Sequence, residues 1–286
     1  MTSVLRLFLA VIRLWPKSGF GALATLVYAA LRPFAGRELR YLARNVQRVY
    51  GLPPGTTFAE LFERQNLRHQ VICALETLRG IQDPTAVTVR GLSELALLIK
   101  DAEATGRGHV IVTAHIGSWE LCAHYGHKAS TKPFHVLAKP AKSAAVTAVL
   151  DDLRRGMGTP VLWTNRKTLL RDMLRALRRG ESLGFVMDQK PEGRQGPVVN
   201  FLGIPTEFVS GPAAMAARSD GAAIAIFCLR EGPFRYRLWS ESVLKAGHGL
   251  KDETELTQRL ALVIERVIRL YPEQWAWNYK RWRGDT

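Results

Sequence analysis

Acidic residues are scarce in this chain of 286: 25 Asp and Glu face 40 Lys and Arg, leaving a formal net charge of +15. That balance favours anionic partners, such as phospholipid headgroups, nucleic acid or an acidic carrier protein. Cysteine is nearly absent as well. Cys73, Cys122 and Cys228 are odd in number, far apart and form no C-x-x-C pair, which argues against a disulfide framework or zinc knuckle and fits a reducing compartment. Nor is there an unbroken apolar run of the roughly 20 residues that span a bilayer. The stretch from Val4 to Ile12 is broken by Arg6, and Ser18 to Leu31 is uncharged but short, flanked by Lys17 and Arg32. No small-residue cleavage site follows the first stretch, so a cleaved signal peptide is not expected. The second is expected to lie on a membrane or to pack beneath the domain. A P-loop and a G-x-S-x-G elbow are also missing, and Gly106-x-Gly108 and Gly156-x-Gly158 lack the third glycine of a dinucleotide fingerprint.

What remains is an alternating pattern. In RELRYLARNVQRVY, Arg37, Arg40, Arg44 and Arg48 share one helical stripe, and Leu39, Leu42, Val46 and Val49 another. A basic amphipathic helix follows, suited either to an anionic membrane surface or to an ordinary solvated face. A second helix is expected from Thr57, with a capping box ending at Glu60, to about Leu78. Buried strands are then expected at 109–114, 134–137 and 183–187, with further strand-like runs at 222–229 and 234–239, and helices at 168–179 and 253–270. Strands alternating with helices imply an α/β fold with a mostly parallel central sheet flanked by helices. The expected division is an N-terminal helical, membrane-associating extension over 1–80 and a catalytic α/β domain over 81–286.

The chemistry-bearing stretch is Thr113-Ala-His-Ile-Gly-Ser-Trp-Glu120. His115 falls at the carboxyl end of a strand, where open α/β sheets place ligands. Ser118 can cap the next helix, and Glu120 in its first turn is expected to reach one imidazole nitrogen, leaving the other to take a proton from a hydroxyl. A histidine that merely caps a turn would show the same two residues. His124 and His127 share a helix face with Glu120, but their spacing meets no standard zinc pattern. Cys122, among apolar neighbours, is expected to be inert.

The block His115-Ile-Gly-Ser-Trp-Glu120 resembles the H-x4-D/E signature of glycerolipid acyltransferases, in the Trp-Glu form of the bacterial lipid A lauroyl and myristoyl acyltransferases. Further blocks resemble that family in the same order: Arg44-Asn45 in the basic helix, Leu177 to Gly180 followed by Phe185-Val-Met-Asp-Gln189, Val199 to Gly203, and Tyr271 to Trp275 with Arg281-Trp282. The resemblance implies a glycerolipid-acyltransferase-like fold and O-acyl transfer from a thioester, on acyl carrier protein or as acyl-CoA, to a hydroxyl of an anionic lipid acceptor. A lipid A precursor is the acceptor it favours, with a lysophospholipid or a phosphatidylinositol mannoside as the alternative. It makes His115 the general base and Glu120 its orienting acid. Asp188, Gln189, one of Arg154 and Arg155, and Lys139, where the family often has Arg, are implied to bind substrate. Gly117 backbone or an arginine would stabilise the oxyanion. No metal, cofactor or nucleic acid is implied. The location implied is the cytoplasmic face of the cell inner membrane, held peripherally or by the N-terminus. Trp275, Trp277 and Trp282 are read as core or membrane-belt aromatics. A noncatalytic basic protein binding membrane or nucleic acid is the rival of another class.

Overall fold

A computed structural model describes residues 2–141, 143–191 and 196–282 of the chain. Four helices come first: α1 (Thr2–Leu14), α2 (Phe20–Leu31), α3 (Gly36–Tyr50) and α4 (Thr57–Gln82). Then follow β1 (Thr88–Arg90), α5 (Leu92–Ala104), β2 (His109–Thr113), α6 (Trp119–Ala129), β3 (Phe134–Ala138), α7 (Ala144–Gly156), β4 (Val161–Trp163), α8 (Leu169–Arg178) and β5 (Ser182–Val186). The remainder comprises a hairpin of β6 (Val198–Phe201) and β7 (Ile204–Glu207), then α9 (Gly211–Ser219), β8 (Ala223–Gly232), β9 (Arg235–Leu244) and α10 (Glu253–Leu270).

Seven strands form one sheet in the order β1-β9-β8-β2-β5-β3-β4, and every neighbouring pair except β8 and β9 is parallel. The fold is therefore α/β with a mostly parallel central sheet. All five residues of β2 are buried, as expected for a central parallel strand covered on both faces. Val110 and Val112 face a core shared with Met173 of α8, Ala213 of α9 and Leu260 of α10. Ile111, pointing the other way, joins Leu75 of α4, Ile99 of α5 and Leu121 of α6.

Helices α1 and α2 are packed onto this second face, whereas Leu42 and Val46 of α3 join the first core. Phe20 and Ala24 of α2 are buried, and the Phe20 ring meets Phe234 edge-on at 4.7 Å. The stretch Ser18 to Leu31 thus packs beneath the domain along one side, while Leu26 and Leu31 remain exposed on the other. No single helix among the described residues is long and apolar enough to cross a membrane; Arg6–Leu14 and Lys17–Phe34 together have the composition but are bent by 110°. Helix α4, at the end of the segment 1–80, runs deep into the molecule. Its Glu76 is fully buried and receives Arg230 Nε and Nη2 at 2.8 Å each and the Tyr236 hydroxyl at 2.9 Å.

After α10 the chain returns across the edge of the sheet. Gly117 N–H donates to Gln274 O at 3.2 Å and Ala276 N–H to His115 O at 2.9 Å, so residues 274–276 run antiparallel beside 115–117. Two buried asparagines fasten this strap. Asn66 of α4 donates to Glu273 O and Trp275 O at 2.9 and 2.7 Å, and Asn45 of α3 to Trp277 O and Tyr279 O at 2.7 and 2.8 Å. Asn45 belongs to the Arg-Asn pair singled out in the sequence. Its role is to satisfy strap carbonyls that no strand partner reaches.

Candidate active site

Strand register creates the site. Thr113 of β2 lies opposite Val186 of β5, and two residues further along each chain come His115 and Asp188. Met187 N–H continues the ladder onto Thr113 O at 3.0 Å. The two side chains therefore emerge side by side at the carboxyl edge of the sheet, where such folds concentrate their chemistry. Asp188 Oδ1 lies 2.7 Å from His115 Nδ1, and Oδ2 accepts both the His115 backbone N–H at 3.0 Å and the Trp275 indole N–H at 2.7 Å. Asp188 is only 3% exposed.

Burial alone would push the His115 imidazole down, but the Asp188 carboxylate, with a smaller contribution from Glu120, outweighs it and the net direction is up. Burial would likewise raise Asp188. The imidazole charge and the hydrogen bonds from His115 and Trp275 instead hold it below the ordinary carboxylate range. With Nδ1 committed to Asp188, Nε2 is the ring nitrogen left for other partners, and the Gln189 amide Nε2 is hydrogen-bonded to it at 3.4 Å. The ring edge packs against Trp119 at 5.1 Å.

Glu120 sits elsewhere than the sequence suggested. Arg154, in the last turn of α7, grips it with two hydrogen bonds, Nε to Oε2 at 3.0 Å and Nη2 to Oε1 at 2.6 Å. The carboxylate on the imidazole is Asp188. The physical reason lies in the turn between them: Gly117 adopts a left-handed φ of +58°, and α6 begins only at Trp119 with Ser118 Oγ capping Leu121 N–H at 3.3 Å. Glu120 leaves the start of that helix toward α7 instead of turning back to the ring. His115 and Asp188 thus meet at one sheet edge, whereas Arg154 contacts Glu120 rather than Asp188. The buried cation whose field reaches Asp188 is Arg281, whose own pKa burial pushes down to about 10.

Other candidates are placed as follows. Arg155 pairs with Asp151 and, at 3.5 Å, with Asp152 on the outer face of α7. Lys139 is exposed just past β3, on the same edge as His115. Gly117 cannot spare its N–H for an oxyanion because Gln274 O takes it, and the Ser118 N–H goes to Cys228 O at 2.8 Å. Cys122 is buried and its thiol pushed up to about 12 by desolvation, which removes it as a nucleophile. Among the described residues no group of three His, Cys, Asp or Glu is arranged to hold a metal, and His124 Nδ1 is within 3.2 Å of Met157 O.

Two hollows meet at this edge. One is a polar cleft of about 270 Å³ lined by His115, Asp188, Gln189 and Trp275, among others. The other is a cavity of about 420 Å³, walled mainly by apolar side chains of α4 and α7 such as Leu78, Ile81, Leu150 and Leu153. Glu120 and Arg154 also line this cavity, and Gln70 and Trp119 line both hollows. An apolar cavity with a few convergent polar groups at its mouth is the usual form of a small-molecule site. Gln70 and Asn66 had gone unmarked in the sequence, and Trp275 was read only as a core or membrane-belt aromatic, not as a donor to Asp188. Asn66 and Gln70, four apart in a helix, place amides on a face that buries, which is the one signal available for them.

The fold and site define a class: an α/β protein with a histidine–carboxylate pair at the sheet edge, opening beside an apolar cavity. The family model for bacterial lipid A biosynthesis acyltransferases matches residues 1–284, and the chain belongs to that family. It is 26% identical over 277 residues to a phosphatidylinositol mannoside acyltransferase of Mycolicibacterium smegmatis, covering 92% of this chain and 86% of that protein. A phosphatidylinositol mannoside acyltransferase of Mycobacterium tuberculosis is 24% identical, with 94% and 87% covered. A lipid A biosynthesis palmitoleoyltransferase of Escherichia coli is 22% identical over 285 residues, with 96% and 89% covered.

Proposed function

We propose that this chain transfers a fatty acyl group from a thioester, on acyl carrier protein or coenzyme A, to a hydroxyl of a lipid, with His115 as general base. The observation that carries this is the His115–Asp188 pair, with Nε2 of the ring facing a cleft that adjoins an apolar cavity. The acyl chain occupies the apolar cavity and the acceptor hydroxyl enters the polar cleft. As the hydroxyl oxygen bonds to the thioester carbon, its proton passes to His115 Nε2 and the carbonyl electron pair moves onto oxygen. Collapse of that intermediate breaks the C–S bond, and the departing sulfur takes the proton back from Nε2. Asp188 holds the tautomer and stabilises the imidazolium between these steps, the part a carboxylate plays in a Ser-His-Asp triad.

Glu120 acts at one remove. Its two-pronged pair with Arg154 ties α6 to α7 across the apolar cavity, fixing the width of the acyl site, and its charge adds to the field that favours a protonated His115. The acceptor is a hydroxyl-bearing anionic glycolipid: the family description points to a lipid A precursor, and the mycobacterial relatives favour a phosphatidylinositol mannoside as a second reading. Membrane attachment is peripheral, through the N-terminal helices. Arg37, Arg40, Arg44 and Arg48 are exposed on α3, and Leu14 and Phe34 nearby in the chain are 83% and 86% exposed. Apolar and basic groups presented together suit the headgroup region of an anionic bilayer, here the cytoplasmic face of the inner membrane.

His115→Ala should abolish transfer from a long-chain acyl thioester to a glycolipid acceptor while leaving the circular dichroism spectrum unchanged. Turnover at the wild-type rate by that variant would rule out the mechanism.

A further inference from the structure

Attack on a thioester leaves negative charge on the carbonyl oxygen, and fixed hydrogen-bond donors must meet it. The donors pointed to by the sequence are engaged, Gly117 N–H by Gln274 O, Arg154 by Glu120 and Arg155 by Asp151, and the adjacent Ser118 N–H goes to Cys228 O. The position of the missing donor follows from the two hollows. The acyl chain comes from the apolar cavity and the hydroxyl from the polar cleft, so the thioester carbon lies where they join. Gln70 and Trp119 are the residues that line both. Trp119 is packed edge-on against His115, whereas Gln70 carries a carboxamide that is held in place by a hydrogen bond. Gln70 Nε2 donates one hydrogen to Asn66 Oδ1 at 2.7 Å. Asn66 is fully buried and donates in turn to Glu273 O and Trp275 O, and the neighbouring Ala276 N–H is bonded to His115 O. Gln70 is thus tied by a chain of hydrogen bonds to the backbone of the general base. Its second Nε2–H has no partner among the described residues.

We propose that Gln70 is a further catalytic residue, whose remaining amide N–H donates to the thioester carbonyl oxygen and holds it as charge develops, with Asn66 fixing the amide in place. The proposal rests on the acyl-transfer function above. No bond to Gln70 forms or breaks; it donates to the oxygen while that oxygen carries the electron pair, and the pair returns to carbon as the C–S bond cleaves. Because the bond strengthens as charge accumulates, its loss falls on the transition state more than on bound substrate. Helix α6 begins at the same junction, so its positive end favours the same charge.

The test is steady-state kinetics of full-length protein on a long-chain acyl thioester, comparing Gln70→Leu and Gln70→Glu with His115→Ala. Gln70→Leu should lower kcat by about 10²–10³-fold, the cost of one oxyanion donor, with KM for the thioester little changed. Gln70→Glu keeps the shape but donates only when protonated, so its rate should fall with rising pH where the wild-type rate climbs. A role in shaping the cavity would leave that profile alone. Wild-type kcat in Gln70→Leu, a change confined to KM, or a Gln70→Glu profile parallel to wild type would each overturn the proposal. So would a loss of kcat in Trp119→Phe with Gln70→Leu unaffected, which would move the donor to the indole. If Gln70→Leu fails to fold, the isosteric Gln70→Glu profile decides. An inactive His115→Ala beside a fully active Gln70→Leu refutes Gln70 alone, whereas full activity in His115→Ala brings down acyl transfer itself.

Discussion

Replacing Trp275 by Phe keeps an aromatic ring in the core and removes one N–H from the Asp188 carboxylate. That carboxylate has two other donors, the His115 backbone and imidazole, so it loses one of three. A hydrogen bond to a charged group is worth about 1.5–3 kcal/mol. Asp188 is buried, which leaves no solvent to replace the missing donor. The smaller ring adds a cavity cost against Trp277 and Phe201, which the indole now touches. Linkage separates the two contributions. Asp188 has a depressed pKa when folded, so its stabilisation is present above its unfolded value of about 3.9 and is lost as the pH falls through the lower folded value. Trp275→Phe depresses that pKa less, and the gap between variant and wild type should be widest at neutral pH and narrow as the pH drops toward and below the unfolded value. The cavity cost does not depend on pH. Denaturant unfolding of both proteins across that range is the assay. At neutral pH the hydrogen-bond share alone should lower the melting temperature by on the order of 3–12 °C, at about 2–4 °C per kcal/mol for a large domain. A gap that stayed constant with pH would refute the contribution of the indole N–H to Asp188.

Gly117→Ala should be destabilised by at least about 1–2 kcal/mol from its left-handed backbone, and by more because a Cβ there would fall 2.2 Å from Cys228 O; an unchanged unfolding midpoint would contradict that geometry. Replacing Arg37, Arg40, Arg44 and Arg48 together with Gln should weaken binding to anionic vesicles by about 1 kcal/mol for each arginine near the surface. Flotation with anionic liposomes that ignores both the substitutions and added salt would count against membrane docking by α3.

Long elements with strong periodicity were readable from the sequence. Helix α10 spans Glu253–Leu270 as expected, and α4 starts where expected, although the residue that caps it is Thr56, through Ala59 N–H, not Thr57. β1 and β4 were missed because they are three-residue strands at the two edges of the sheet, too short for alternation to register. The segment Val199 to Gly203, marked in the sequence only by its family resemblance, supplies one strand and the turn of a hairpin, with Leu202 and Gly203 both at positive φ. At the site, parallel topology was enough to bring His115 and Asp188 to one edge. Nearness in sequence then misled: Glu120 stands five residues from His115 but past a left-handed glycine and a helix start, so Arg154 receives it. Trp275 reaches Asp188 across 87 positions, through a strap whose pairing no local pattern announces. The same strap, anchored by Asn66, explains why Gln70 went unnoticed.

The measurement that bears most directly on His115 as a base held by Asp188 is the pH dependence of kcat/KM in Asp188→Asn and Glu120→Gln. In the wild type the acid limb should lie above the ordinary histidine value of about 6.5, because Asp188 raises the imidazole. Asp188→Asn should move that limb down and lower the rate by up to about 10⁴-fold, the loss seen when an orienting carboxylate becomes an amide. Glu120→Gln, which alters only a minor contribution to the imidazole, should move the limb less. A limb that shifts more in Glu120→Gln than in Asp188→Asn would contradict the account and return the orienting role to Glu120.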